Sequence, residues 1–248
     1  SLECDLAVKQ VPYETFSSSI YSFFDFVLYR ILILSLMIVH RIPSAIGFDS
    51  SIYLVISDCT FLVDAGTGLD PNVPYRVERL LDGRALDMVV LTHCHFDHSG
   101  GVKSIVEHFY GPAVYAGKQD VPYLASADSK VILNDMFGYP FEPLEAEPLE
   151  DGQILDAGES FQVISTPGHT EGSICLYNAS EKALFSGDTL FENGYGRTDF
   201  PGGSEDSMRD SILRLSNIDI RELYPGHGNI CDNFSPGLMA RVKNMVGV

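Results

Sequence analysis

Ten consecutive residues, Thr92-His93-Cys94-His95-Phe96-Asp97-His98-Ser99-Gly100-Gly101, constrain this chain more than any other stretch. They place three imidazoles and a carboxylate directly behind the apolar run Met88-Val89-Val90-Leu91, which reads as a buried strand. Imidazole nitrogen and carboxylate oxygen are preferred ligands of zinc, iron and manganese. His93 and His95 are two apart, so an extended backbone points them the same way, with Cys94 turned to the opposite side as a buried thiol. Asp97 and His98 follow as the chain turns and face a different point. That layout suits two adjacent metal ions better than one.

Three later segments repeat the scheme of a strand ending in a glycine-containing turn. Phe161–Ser165 runs into Thr166-Pro167-Gly168-His169-Thr170, Lys182–Ser186 into Gly187-Asp188-Thr189, and Glu222–Tyr224 into Pro225-Gly226-His227-Gly228. A lone histidine at a strand end is usually a surface group or a satisfied hydrogen bonder. Together with His93-x-His95-x-Asp97-His98, however, the four segments resemble the signature of the metallo-β-lactamase superfamily, over roughly Met37 to the C-terminus. Within it, Gly196-Arg197-Thr198-Asp199-Phe200-Pro201-Gly202-Gly203 resembles the glyoxalase II group and its persulfide dioxygenase relatives.

The resemblance implies an α/β fold, a four-layer αββα sandwich with metals at one edge of paired sheets. It implies that His93, His95 and His169 hold one metal and Asp97, His98 and His227 a second, with Asp188 bridging. Asp97 and Asp188 are the carboxylates it places in the reaction. The cofactor expected is two divalent ions, zinc foremost, with iron or manganese as substitutes. Water between such ions has its pKa lowered toward about 7, so a metal-bridged hydroxide attacks a thioester or similar ester carbonyl. The expected activity is that of a metal-dependent hydrolase on a small-molecule substrate. The alternatives are a persulfide dioxygenase with a single iron on His93, His169 and Asp188, a lactonase and, from another class, a non-catalytic binding protein. Longer glyoxalase II enzymes hold glutathione with a C-terminal helical region. After His227 this chain offers only Arg241 and Lys243 as basic groups, so glutathione recognition is not expected.

Other residues near these motifs carry weaker readings. Asp64 closes the apolar run Phe61-Leu62-Val63 and serves either to orient a metal-bound histidine or to cap a turn. Arg197 and Asp199 are expected to brace their loop as a pair, and Tyr195 either lines the pocket or packs the loop.

Composition sets the bounds. A chain of 248 residues can bury one large core, and 45% hydrophobic with 20% charged residues is globular. A net charge of −18 argues against binding the phosphate backbone of a nucleic acid. Five cysteines with no CxxC spacing give no disulfide framework, and the default setting is cytoplasmic.

Along the chain, Ser51–Ser57 and Cys59–Asp64 read as a hairpin, Pro74–Leu81 and Val102–Phe109 as helices, Ala113–Tyr115 as a strand, and Gln119–Ala125 as a helical turn. Pro140–Pro148 reads as a connector over the site. Ser204 and Ser235 read as hydroxyl caps of two late helices.

Residues 1–36 form an N-terminal extension ahead of a domain spanning 37–248, and Met37 is a natural beginning for the first strand. Ile20–Val39 is apolar, but Asp25 and Arg30 interrupt it at about 2.5–3.5 kcal/mol each in mid-bilayer, which disfavours a membrane role. The extension is expected to add strands, cover a sheet edge or mediate self-association through Phe16, Tyr21, Phe23, Phe24, Phe26 and Tyr29.

Overall fold

Alternating apolar residues turn this chain into two sheets that face each other. The computed structural model describes residues 37–248, so the expectations for the extension lie outside the described residues. The first half builds β1 (Ile38–Ile42), β2 (Ile52–Ile56), β3 (Thr60–Val63), α1 (Val73–Leu81), β4 (Met88–Leu91), α2 (Phe96–Ser99), α3 (Val102–His108), β5 (Ala113–Gly117), α4 (Val121–Ser126), α5 (Ser129–Ile132), α6 (Asn134–Phe137) and β6 (Glu147–Leu149). Its strands form one sheet in the order β1-β2-β3-β4-β5-β6, antiparallel through β3 and parallel from β3 to β6.

The second half builds β7 (Ile154–Asp156), β8 (Ser160–Ser165), β9 (Ile174–Asn178), β10 (Ala183–Gly187), β11 (Leu190–Phe191), β12 (Gly194–Tyr195), α7 (Glu205–Leu215), β13 (Glu222–Pro225) and α8 (Pro236–Met245). Five of its strands form a sheet in the order β13-β10-β9-β8-β7, and β11 and β12 make a small hairpin.

The period of two in each strand sorts the core into three layers. Ile52, Leu54 and Ile56 of β2, with Val89 and Leu91 of β4, pack outward against Val77, Leu81, Val102 and Ile105 of the helices. Tyr53, Val55, Phe61, Val63 and Val90 point the other way and meet Phe161, Val163, Leu176 and Phe185 of the second sheet. Ile164, Cys175 and Leu184 cover the far side with Met208, Ile212, Leu215 and Val242. Helix, sheet, sheet, helix is the four-layer αββα architecture that the family resemblance implies.

Ser204 and Ser235 cap α7 and α8, accepting from the backbone N–H of Ser207 and Leu238. One expectation is corrected. The Pro140–Pro148 connector is not simply a loop over the site, because Glu147 and Pro148 belong to β6, paired in parallel with β5. Phe141, Leu144 and Ala146 pack on the outer core instead, where their apolar area leaves water. No helix among the described residues is long and apolar enough to cross a membrane.

Candidate metal centre

Four strand ends deliver the site. β4 runs into His93, His95 and α2, β8 into His169, β10 into Asp188, and β13 into His227. The fold gathers all seven side chains named from the sequence. Ligand-capable atoms lie within 4.8 Å of one another in three groups: His93, His95 and His169; His93, His98 and Asp188; Asp97, His98 and His227.

The carboxylate of Asp188 stands between the sets. Its Oδ2 is 3.4 Å from His169 Nε2 and 3.7 Å from His227 Nε2, and its Oδ1 is 3.5 Å from His98 Nε2. A β-carbon at Gly226 would sit 2.2 Å from Asp188 Oδ1, so only glycine leaves that carboxylate in place.

Hydrogen bonds fix which nitrogen of His169 and of His98 stays free. His169 Nδ1 lies 2.7 Å from the carbonyl oxygen of Arg197, so Nδ1 carries the proton and Nε2 keeps its lone pair. His98 Nδ1 meets Asp64 Oδ2 at 2.8 Å. The Thr92 hydroxyl donates to the same oxygen at 2.8 Å and lies 3.1 Å from His93 Nδ1, relaying the effect to a second ring. Asp64 is therefore an orienting carboxylate, and it holds a left-handed backbone (φ 60°) to reach both partners. Against this, His98 Nε2, His169 Nε2 and Asp188 Oδ1 are buried without any hydrogen-bond partner. Buried lone pairs left unpaired are costly, and several converging on one point fit a cation.

Electrostatics divide the rings. Burial, reinforced by neighbouring histidines, holds His93 well below the usual imidazole range and His95 at about 3, so both are neutral ligands. Burial opposes charge on His98 too, but the carboxylates of Asp64, Asp97 and Asp188 outweigh it and hold that ring well above its ordinary value. For Asp97 and Asp188 burial favours the neutral acid, yet the surrounding histidines win and keep both carboxyls below the usual range.

Beside the site, Arg197 forms a two-pronged pair with Asp199 at 2.9 and 2.8 Å and lies 4.0 Å from the Phe200 ring, which stands 6.0 Å from His95. Tyr195 reaches Glu205 at 3.2 Å. Cys94 is fully buried in the outer core, and burial pushes its thiol well up, which keeps it protonated and inert.

Sequence reasoning missed Asp120. It precedes α4 at the position of an N-cap, yet its side chain makes no cap hydrogen bond. It is completely buried and accepts instead from Cys94 N at 2.9 Å, Thr170 Oγ1 at 2.8 Å and Gly172 N at 2.8 Å. The available signal was an acid closing the strand Ala113–Gly117, as Asp64 closes β3.

Residues 45–227 match the profile of the metallo-beta-lactamase superfamily. A probable metallo-hydrolase of Methanocaldococcus jannaschii is 35% identical over 194 residues, covering 76% of this chain and 92% of its own length. Hydroxyacylglutathione hydrolase GloC of Haemophilus influenzae is 34% identical over 176 residues, 68% of this chain and 79% of that one. A solved structure described as a di-iron-bound form superposes with a TM-score of 0.67 at 30% identity, covering 82% of this chain and 98% of its own.

Proposed function

This chain belongs to the metallo-β-lactamase superfamily, in its group of glyoxalase II-like and persulfide dioxygenase-like members, and from that premise we propose that it is a hydrolase that cleaves a thioester or similarly activated ester. The observation that carries the reading is the placement of Asp188, whose two oxygens face ligand atoms of both histidine-bearing triads. His93, His95 and His169 would hold one divalent cation, Asp97, His98 and His227 the other, with Asp188 shared. When bound, such a pair polarises the acyl carbonyl and lowers the pKa of water toward about 7. Zinc or iron suits this mixture of imidazole and carboxylate, and the relative in a di-iron-bound form supports iron.

The leaving group follows from the protein's own acids. Asp97 and Asp188 serve as cation ligands in this reading, so neither offers a proton to a departing group. A thiol, with a pKa of about 8.5, departs as thiolate without one, whereas an amine or unactivated alcohol does not.

An apolar surface adjoins the same loop. The Phe96 ring, between His95 and Asp97, lies 5.5 Å from Phe137 and 6.3 Å from Tyr139, and Phe137 lies 5.2 Å from the exposed Phe48. That cluster suits the acyl part of a small molecule. The net charge of −18 speaks against a nucleic acid substrate, and the free cysteines 94, 175 and 231 suit a reducing cytoplasm.

The test is elemental analysis of protein purified without added metal or chelator, followed by thioester and lactone panels. About two metal ions per chain and thioester turnover are expected. One iron per chain with oxygen consumption on a persulfide would replace this reading with the dioxygenase.

A further inference from the structure

Asp120 is a buried carboxyl group that accepts hydrogen bonds from two backbone N–H groups and one hydroxyl. Such a group is costly to bury, so what it holds explains its presence. Cys94 lies between His93 and His95, and Thr170 directly follows His169. One carboxylate therefore grips the backbones that carry three ligands from two different sheets, and it touches none of their rings.

The surroundings are built to the same end. A β-carbon at Gly172 would fall 2.3 Å from Asp120 N and 2.5 Å from its Oδ1, so the approach requires glycine. Ile174 N donates to Thr92 O at 2.9 Å, a second tie between the same two segments. Ser173 Oγ accepts from Thr170 N at 3.1 Å and lies 2.8 Å from Thr170 Oγ1, which aims that hydroxyl at Asp120. No hydrogen bond of Asp120 reaches Asp97, His98 or His227.

We propose that Asp120 is a positioning residue that sets the spacing of His93, His95 and His169 before a cation arrives, and so governs metal affinity at that triad alone. The proposal rests on the reading of the triads as metal sites. Asp64 acts differently, orienting the rings of His93 and His98 and so serving both triads.

Asp120→Asn keeps the shape but turns an acceptor into a donor facing N–H or O–H groups. Zinc affinity is measured on metal-free protein by competition with a chromophoric chelator, in two backgrounds. With His227→Ala only the three-histidine triad is intact; with His169→Ala only the other is. Asp120→Asn is expected to weaken zinc binding about 10–100-fold in the first background and less than about twofold in the second, with far-ultraviolet circular dichroism unchanged. Equal affinity in the first background, or equal loss in both, overturns the proposal. Should Asp120→Asn fail to fold, Thr170→Val decides the same comparison by removing one donor, with a smaller loss expected in the first background only. Wild-type protein that takes up no zinc at all overturns the metal reading, and this proposal with it.

Discussion

The His93, His95 and His169 triad and the Asp97, His98 and His227 triad share one edge of the sandwich but are built on different plans. In the first, all three rings are buried, two are held neutral, and the backbones bearing them are clamped by Asp120. In the second, His98 is wholly buried but the His227 side chain is 38% exposed, and Asp97 brings a negative charge held in place by its histidine neighbours. The difference separates two duties. A buried, pre-spaced triad of imidazoles suits a permanently held cation, while a triad with a carboxylate and a solvent-exposed ring suits the side where substrate arrives and product leaves.

The largest test of that division is to remove what the triads share. Asp188→Ala is expected to lower turnover by about 10³-fold or more, since several kcal/mol of charge stabilisation disappear with it. Metal analysis should show both equivalents weakened, and undisturbed binding at both would deny Asp188 its shared place. Next comes the contrast between triads. His169→Ala should cost about tenfold more activity than His227→Ala, because it opens a buried site rather than an exposed one. Equal losses in steady-state assays would erase the distinction.

Asp64→Asn is expected to cost about 10–100-fold in metal affinity and, unlike the change at Asp120, at both triads. A loss confined to one triad, read by the same chelator competition, would mean that the relay through Thr92 carries nothing. The smallest effect belongs to Cys94→Ser. It should lower stability by no more than about 1–2 kcal/mol, because the buried hydroxyl meets apolar neighbours on one side and the Asp120 carboxyl on the other, with metal content unchanged. A change in metal content would place the thiol on the ligand side.

The ligands themselves were legible because each stands where an apolar run ends, and runs of period two are local signals. His93, His95 and His98 could be read from neighbours within a few residues. Asp120 could not, because its partners Cys94, Thr170 and Gly172 lie 26, 50 and 52 positions away. Locally it looks like the cap of α4, and the competing demand of two ligand loops turned its side chain elsewhere. Glu147 and Pro148 misled for a related reason. A short parallel edge strand is defined by its partner β5, and a proline-rich segment gives no periodic hint of one. For Asp64 the residue type was suggestive, but the choice between capping and orienting needed the position of His98, 34 residues on.

The 3.0 Å contact between Asp97 and His227 joins residues 130 positions apart. In an unfolded chain, bringing such distant ends together costs about 4 kcal/mol of entropy from loop length alone. A cation shared by that pair would thus be a removable staple across most of the described chain. Withdrawing it would let the C-terminal strand β13 open more often, and proteolytic lifetime would then depend on metal supply. A cell short of metal would lose not only the activity of this protein but, in time, the protein itself.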